Sequence, residues 1–219
     1  VYKRQVWNSA EEIAANPHFS DDAPGGIRIV DTNNDGSLTP EDRVALGTPY
    51  PDFTWGITNT FQIKDFDISF LIQGVQGITV LNGDVYYNET KKWNKKYTKN
   101  RWVSAEHPGD GKTPYQNVKT GHDLMLTDYP LQNASYACLR NFTVGYTLPA
   151  TAARKIKLSG VRFYVSGSNL LYIWGSGYKG INPESRMTSG NYSSAMISGY
   201  QRGGFPLTST ISAGFDINF

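Results

Sequence analysis

Residues 53–63 read FTWGITNTFQI, in which nearly every second residue is apolar. Successive side chains of a β-strand point to opposite sides, so this spacing places five apolar residues on one face. They are Phe53, Trp55, Ile57, Phe61 and Ile63. Threonine, glycine and glutamine fill the other face. The pattern predicts a strand with one apolar and one polar face.

The same alternation returns four times along the chain. A predicted tight turn at Lys64-Asp65 leads into a second strand over residues 66–73, and further strands are predicted at about 136–148, 161–173 and 209–219. At about nine to thirteen residues, these strands are long enough to cross a bilayer when tilted. Their aligned apolar residues are Phe66, Ile68, Phe70 and Ile72, then Phe142, Val144, Tyr146 and Leu148, then Val161, Phe163, Val165, Leu171 and Ile173, then Ile211, Ala213, Phe215, Ile217 and Phe219.

The connections between the predicted strands alternate in length. Two residues join the first pair and about a dozen, residues 149–160, join the second pair, whereas more than fifty and more than thirty residues fill the other two gaps. Short turns alternating with long loops are typical of outer-membrane barrels. A soluble β-sandwich also alternates, but loops of this length count against a compact domain. We therefore predict an all-β fold, an antiparallel transmembrane β-barrel portion with long extracellular loops, and keep the sandwich as the alternative.

Composition excludes several other classes of protein. Lys+Arg 21 against Asp+Glu 19 gives a net charge of +2, which argues against nucleic-acid binding. A single cysteine, Cys138, excludes an internal disulfide framework. No apolar run approaches the length of a transmembrane helix. The three histidines lie far apart, and neither a catalytic triad nor a paired-carboxylate motif stands out, so the sequence supports no enzyme activity, catalytic residue or organic cofactor.

The last predicted strand ends in SAGFDINF at residues 212–219. It looks like the C-terminal assembly signal of bacterial outer-membrane barrels, with Gly214, Ile217 and Phe219 as its characteristic positions. Five strands cannot close a barrel, because the smallest single-chain barrels have about eight. The chain also opens on Val1 without an initiator methionine. We therefore expect a fragment whose remaining strands lie upstream.

Several blocks of the chain stand out beyond the strand pattern. They are PGGIR at 24–28, DTNNDG at 31–36, PDFTWG at 51–56, FDISF at 66–70, SYACLRNFTVGYTLP at 135–149 and VRFYVSGSNL at 161–170. In this order they resemble blocks of the SusC/RagA-family TonB-dependent outer-membrane transporters. The resemblance runs from about Val6 to Phe219, with departures at Gly26 and at Ala137-Cys138.

The resemblance implies a large importer in the outer membrane of a Gram-negative, Bacteroidota-type bacterium. The chain is then the C-terminal part of a barrel of about 22 strands. Such importers take up oligosaccharides, sometimes peptides, with a SusD-like surface lipoprotein, and draw energy from TonB. Their plug and TonB box have no counterpart in this sequence and are expected upstream. Residues 52–219 are then the C-terminal part of the barrel. If Phe219 lies at the periplasmic rim, counting the strands back places 149–160 on the periplasmic side, and both the loop at about 81–132 and the loop segment 1–51 on the extracellular side.

The segment 31–42 has the spacing of a calcium loop of the EF-hand type, with oxygen-bearing residues at positions 1, 3, 5, 7 and 12 and glycine at position 6. Calcium is the predicted ion, and magnesium is compatible with the short side chain at position 12. The alternative is a metal-free loop whose polar side chains bond to their own backbone. The candidate ligands are Asp31, Asn33, Asp35, Ser37 through its carbonyl, and Asp42.

A weaker prediction concerns the loop that contains Trp93, Tyr97 and Trp102 among several lysines. Aromatic rings stack on sugars, and cations suit an acidic glycan or the lipoprotein partner. Packing among the loops explains the same residues and is the favoured reading.

Three functions remain open from the sequence. The leading one is a fragment of a TonB-dependent importer. The second is a secreted all-β carbohydrate-binding module with a structural calcium, and the third is a barrel scaffold that does not transport.

Overall fold

The computed structural model describes residues 1–84, 99–115, 126–185, 199–201 and 203–219. Its largest element is a five-stranded antiparallel sheet with the strand order β10-β8-β7-β4-β3. The strands are β3 (Phe53–Ile63), β4 (Phe66–Gln76), β7 (Tyr136–Thr147), β8 (Gly160–Trp174) and β10 (Thr210–Asn218). These are the five strands that the alternating pattern predicts, with identical boundaries for β3 and boundaries that differ by up to three residues for the others.

The first hairpin has the predicted two-residue turn. Ile63 pairs with Phe66, and the ladder continues without interruption to Phe53 and Gln76. Lys64 closes the turn with a left-handed backbone at φ 55°. Because the register is continuous, the alternation of the two strands stays in phase, and apolar residues lie directly opposite each other at Ile57–Ile72, Phe61–Ile68 and Ile63–Phe66.

The other pairings carry the same alternation across the sheet. Phe66 of β4 pairs with Tyr146 of β7, which pairs with Phe163 of β8, which in turn pairs with Phe215 of β10. Relative to β4, the strand β7 carries an extra residue, Arg140, between Leu139 and Asn141. On the other side of β7, Arg140 faces two unpaired residues of β8, Asn169 and Leu170. A bulge of this kind bends a strand and re-aims a side chain.

The two ends of the sheet differ. At one end lie the β3–β4 turn and the connection that holds the short helix α2 (Ala150–Lys155), with Ala153 buried. At the other end, long segments fold over one another. They contain two small sheets, one of β1 (Arg4–Val6) and β2 (Ile27–Ile29), the other of β5 (Thr79–Asn82), β6 (Leu131–Asn133) and β9 (Tyr200–Gln201).

The cores of the described residues lie in these folded segments and not between layers of the large sheet. One core cluster contains Ile27, Ile29 and Tyr129, and a second contains Ile78, Val80, Ala134 and Tyr178. The short helix α1 (Ala10–Ala14) begins at Ser9, whose hydroxyl accepts the N–H of Glu12. A 3₁₀ helix at Pro40–Asp42 ends the segment 31–42. Among the described residues, no helix has the length and apolar character that crossing a membrane requires.

The small elements are absent from the sequence prediction. Strands of two to four residues are too short to show an alternating pattern, and they pair with partners that are distant in the chain. β5, for example, pairs with β6 and with the two-residue β9.

Candidate functional site: a two-faced sheet and its loops

One face of the five-stranded sheet is apolar and exposed. Phe61 is 47% exposed, Phe163 50% and Phe215 65%, values that are unusual for large apolar side chains. Trp55 lies on the same face and packs over Gly74, where an added Cβ would lie 2.3 Å from its ring. The rings of Phe66 and Tyr146 pack at a centroid distance of 4.8 Å. The predicted apolar face therefore exists as a continuous surface across all five strands.

The opposite face is polar and follows the same register. One row crosses all five strands through hydroxyl side chains, namely Thr60, Ser69, Thr143, Ser166 and Ser212. A wall with an apolar side toward lipid and a polar side toward water has this arrangement. We call the two sides the apolar face and the polar face.

An ion cluster spans four of the strands on the polar face. The guanidinium of Arg162 on β8 donates to both carboxylate oxygens of Asp67 on β4, at 3.0 and 2.6 Å, and to Asp216 on β10 at 3.3 Å. The pair with Asp67 passes over β7 at Gly145. An added Cβ there would lie 2.3 Å from Asp67 Oδ1 and 2.6 Å from Arg162 Nη2, so a side chain would displace the pair.

A second polar cluster surrounds Arg140, the extra residue of β7. Its Nη2 lies 2.5 Å from Glu184 Oε1, and its Nη1 donates to Asn169 at 2.8 Å and to the Tyr172 hydroxyl at 2.9 Å. Its Nε donates to Gln73 Oε1 at 3.2 Å. Gln73 and Tyr172 occupy polar-face positions, so the guanidinium also lies on that side of the sheet.

The segment 31–42, predicted as a calcium loop, is closed by hydrogen bonds between its side chains and its backbone. Asp31 accepts the N–H groups of Asn34 at 2.7 Å and of Gly36 at 2.9 Å. Asp35 accepts the N–H of Ser37 at 2.8 Å and the side-chain amide of Asn33 at 2.9 Å. Asn33 in turn accepts the N–H of Asp35 at 3.1 Å. Gly36 has a left-handed φ of 83°, the conformation expected at the turn position.

Asp42 ends this segment and is buried. Its Oδ1 accepts the N–H of Thr32 at 2.7 Å and its Oδ2 the N–H of Thr39 at 2.9 Å. These bonds, first from Thr39 and then from Thr32, lower the pKa of the Asp42 carboxyl. Thr39 and Asp42 also form a reciprocal capping box on the 3₁₀ helix.

The side-chain oxygens of the candidate metal ligands are thus bonded within the loop. Among the described residues, no three His, Cys, Asp or Glu side chains are grouped so that they could hold a metal ion. Asp42 would have to give up a backbone N–H to ligate an ion at position 12. Calcium binding, or magnesium binding, by Asp31, Asn33, Asp35, Ser37 and Asp42 stays a prediction.

The predicted aromatic contact residues are only partly described. Trp93 and Tyr97 lie outside the described residues. The ring of Trp102 packs on Gly25, where an added Cβ would lie 2.3 Å from it, and its backbone N–H donates to Thr113 O at 2.8 Å. This contact fits a packing role, and a role of Trp102 in binding a ligand or partner stays a prediction.

Two of the predicted assembly-signal residues, Gly214 and Ile217, lie in the edge strand β10, and Phe219 follows its last residue. Gly214 leaves room for the hydroxyl of Tyr164, which an added Cβ would approach to 2.5 Å. Ile217 pairs with Val161 on the apolar face, and Phe219 is 95% exposed. Recognition of these three residues by an insertion machinery stays a prediction. The boundary between an extracellular loop segment at 1–51 and the barrel part at 52–219 also stays a prediction.

The chain is similar in sequence to several known proteins. No family model matches the chain. The TonB-dependent receptor P26 of Formosa agariphila is 30% identical over 224 residues, which cover 98% of this chain and 22% of that protein. The TonB-dependent receptor P3 of the same bacterium is 30% identical over 206 residues, 91% of this chain and 19% of that protein. The TonB-dependent receptor SusC of Bacteroides thetaiotaomicron is 27% identical over 157 residues, 71% of this chain and 15% of that protein.

Solved structures show the same fold. A structure of the RagAB peptide importer in a closed-closed state matches 100% of this chain and 23% of the other chain, with a TM-score of 0.66 and 18% identity. A further RagAB peptide transporter structure matches 79% of this chain and 18% of the other chain, with a TM-score of 0.60 and 21% identity. The antiparallel sheet is therefore a portion of a barrel of this type.

The sheet and the similar proteins together place the chain in the class of TonB-dependent receptors, which are built on a β-barrel. Within that class, the chain is part of a SusC-like TonB-dependent receptor, as its sequence blocks predict. It spans about a fifth of the length of the curated relatives it matches, 22% of one and 19% of another.

Proposed function

We propose that the chain forms part of the wall of an outer-membrane importer that takes up oligosaccharides or peptides. The observation that supports this most strongly is the sheet with two different faces in continuous register. The apolar face carries exposed aromatic rings such as Phe163 and Phe215, and the polar face carries the hydroxyl row and the two ion clusters. The apolar face is suited to contact with lipid, and the polar face is suited to line a water-filled passage.

Partners follow from the same proposal. The relatives named TonB-dependent receptors support energy coupling through TonB, which would act on parts of the protein outside this chain. The likeness to SusC and to RagAB supports a SusD-like surface lipoprotein as the partner at the loop end of the sheet. The substrate class rests on the same likeness, since one solved relative is a peptide importer. We infer no nucleic-acid partner and no enzyme activity.

The secreted carbohydrate-binding module makes a different demand on the molecule. A water-soluble module of this size must cover its apolar surface, whereas the side chains of Phe61, Phe163 and Phe215 are 47%, 50% and 65% exposed. Expression of the full-length protein separates the two functions. The importer requires detergent to leave the outer-membrane fraction, and a module would be recovered without it.

A growth test addresses transport itself. A strain that depends on the full-length receptor for one oligosaccharide or peptide should fail to grow on it when the receptor gene or the TonB gene is deleted. Growth on a monosaccharide or on free amino acids is the matched control. Growth that persists in both deletions would refute the import proposal, even if the protein is found in the outer membrane.

A further inference from the structure

A segment of the loop after β8 folds back over the polar face of the sheet. We call residues Tyr178–Ser185 the cap segment. The carboxylate of Glu184 contacts the guanidinium of Arg140 on β7 at 2.5 and 3.4 Å, and these two contacts join the segment to the large sheet. The Tyr172 hydroxyl on β8 donates to the same carboxylate at 3.1 Å. Both side chains of the ion pair are about a quarter exposed, at 24% and 28%.

The bulge in β7 explains why the guanidinium is available at this place. An extra residue in one strand has no direct partner on the neighbouring strand, so its side chain is aimed differently from those of a regular ladder. Arg140 uses this freedom to contact both neighbouring strands, β4 and β8, and the cap segment at once, through Gln73, Asn169, Tyr172 and Glu184. A planar guanidinium with five N–H donors suits such a junction, and a lysine would not reproduce it.

The upper part of the cap segment is joined to the small sheet. Gln201 on β9 donates to the carbonyls of Pro183 at 3.3 Å and of Ser185 at 2.8 Å, and the Tyr178 hydroxyl donates to Gln201 Oε1 at 2.8 Å. Asn82 on β5 shares the acceptor Gln132 Oε1 with the N–H of Lys179. The cap segment therefore bridges the small sheet above and the wall of the large sheet below.

We propose that Arg140 is a positioning residue, which holds the cap segment over the polar face and thereby sets the width of the passage beside it. This proposal rests on the proposed import function, because the polar face borders a passage only in a barrel. Glu184 is its partner in the cap segment, and the Tyr172 hydroxyl and Asn169 amide orient the pair. Loss of Arg140 removes the ion pair and leaves the bond from the Tyr172 hydroxyl to Glu184, so the segment is held to the wall more weakly while its contacts with the small sheet remain.

Hydrogen exchange in the full-length receptor, purified in detergent, tests the contact without any need for transport. Peptides within residues 175–185 should exchange about tenfold faster in Arg140→Gln and in Glu184→Gln than in the wild type. The double variant should exchange no faster than either single variant, because both remove the same pair. Arg162→Gln is the matched control, since Arg162 is also ion-paired on the polar face but contacts Asp67 and Asp216 of the strands.

The charge-swapped variant Arg140→Glu with Glu184→Arg supplies a readout that simple loss of packing does not give. It should recover part of the protection that each single variant loses. Unchanged exchange in both single variants, or single-variant effects that add fully in the double variant, would overturn the proposal.

A concentration series of substrate uptake then tests the consequence for transport. Arg140→Gln should change the half-saturating concentration several-fold while the amount of receptor in the outer membrane stays constant. An unchanged half-saturating concentration in a variant with fast exchange would refute the effect on the passage. A wild-type receptor that takes up no substrate at all would instead refute the import function, and the exchange result would stand by itself.

Discussion

Asp42 closes the segment 31–42 through both of its carboxylate oxygens, which accept the N–H groups of Thr32 and Thr39. An asparagine has only one acceptor oxygen in the same shape, so Asp42→Asn should leave one of these N–H groups without its partner. We expect faster hydrogen exchange at Thr32 and Thr39 in this variant. Asp35→Asn is the control, because Asp35 is exposed and bonds only within residues 33–37. Equal exchange in both variants would contradict the closing role of Asp42.

The same carboxyl predicts a dependence on pH. The bonds from Thr39 and Thr32 lower the pKa of Asp42 in the folded segment, whereas an unfolded aspartate titrates at about 3.9. The stabilisation is therefore complete above about pH 4 and is lost as pH falls through the lower, folded pKa. Exchange protection at Thr32 and Thr39, corrected for the intrinsic rate, should be constant between about pH 7 and 5 and decline below about pH 4. In Asp42→Asn this decline should be absent.

The predicted calcium site has its own measurement. If Asp31 ligates calcium at position 1 of the loop, calorimetric titration of the metal-stripped receptor with calcium should show saturable heat that Asp31→Asn abolishes. Asp65→Asn, in the turn at the other end of the sheet, should bind as the wild type does. If the wild type and Asp31→Asn give identical titrations, Asp31 is not a calcium ligand, and the loop is held by its own hydrogen bonds without a metal ion.

At the scale of a strand, the register of β3 gives adjacent positions opposite surroundings. Phe61 lies on the apolar face and Thr60 on the polar face. A lipid-facing arginine costs about 2–4 kcal/mol at the middle of a bilayer and less toward its surface, and Phe61 lies two residues from the end of β3, so Phe61→Arg should moderately reduce the receptor that assembles in the outer membrane. Thr60→Arg should assemble at the wild-type level. The folded fraction is measured by electrophoresis of heated and unheated samples, in which folded and unfolded barrels migrate differently. Equal folded fractions for both variants would show that the faces are assigned wrongly.

Glycine at position 145 of β7 is required by the ion pair that crosses above it. A methyl group at this position would lie within 2.6 Å of both Asp67 and Arg162, so Gly145→Ala should displace the pair and lower the free energy of unfolding. The displaced groups are the ends of two flexible, partly exposed side chains, so the expected cost is the loss of one such ion pair, about 0–1 kcal/mol. Gly56→Ala on β3 is the control, since its nearest neighbour would lie 3.8 Å away. Urea unfolding of both purified variants measures the difference, and equal midpoints would contradict the tight crossing.

The strands of the large sheet could be predicted from the sequence because their period of two is local and repeated over eleven to fifteen residues in β3, β4, β7 and β8. The strands of the small sheets could not be predicted, since β9 has two residues and acquires its conformation by pairing with β5. The cluster at Arg140 was also missed. Its partners lie 29 to 67 residues away, and the only local signal was a cation within an alternating strand.

At the scale of the whole molecule, the described residues form two regions, the large sheet and the folded segments at one of its ends. The apolar face and the short turns meet the requirements of a lipid bilayer, and the folded segments at the other end carry both core clusters and the cap segment. The edge strands β3 and β10 each pair on one side only among the described residues. Open edges are costly in lipid, which fits a chain that supplies one part of a larger barrel.

The orientation of the two faces is the central claim, and spin labels along β3 test it most directly. Single cysteines at Ile57, Thr58, Thr60 and Phe61 would be labelled in the full-length receptor after reconstitution into lipid, with Cys138 replaced by alanine. We predict that labels at 57 and 61 collide with oxygen dissolved in lipid, and that labels at 58 and 60 collide with a water-soluble nickel complex. Equal access of the nickel complex to all four positions would contradict the account, because the sheet would then not form a wall between lipid and water.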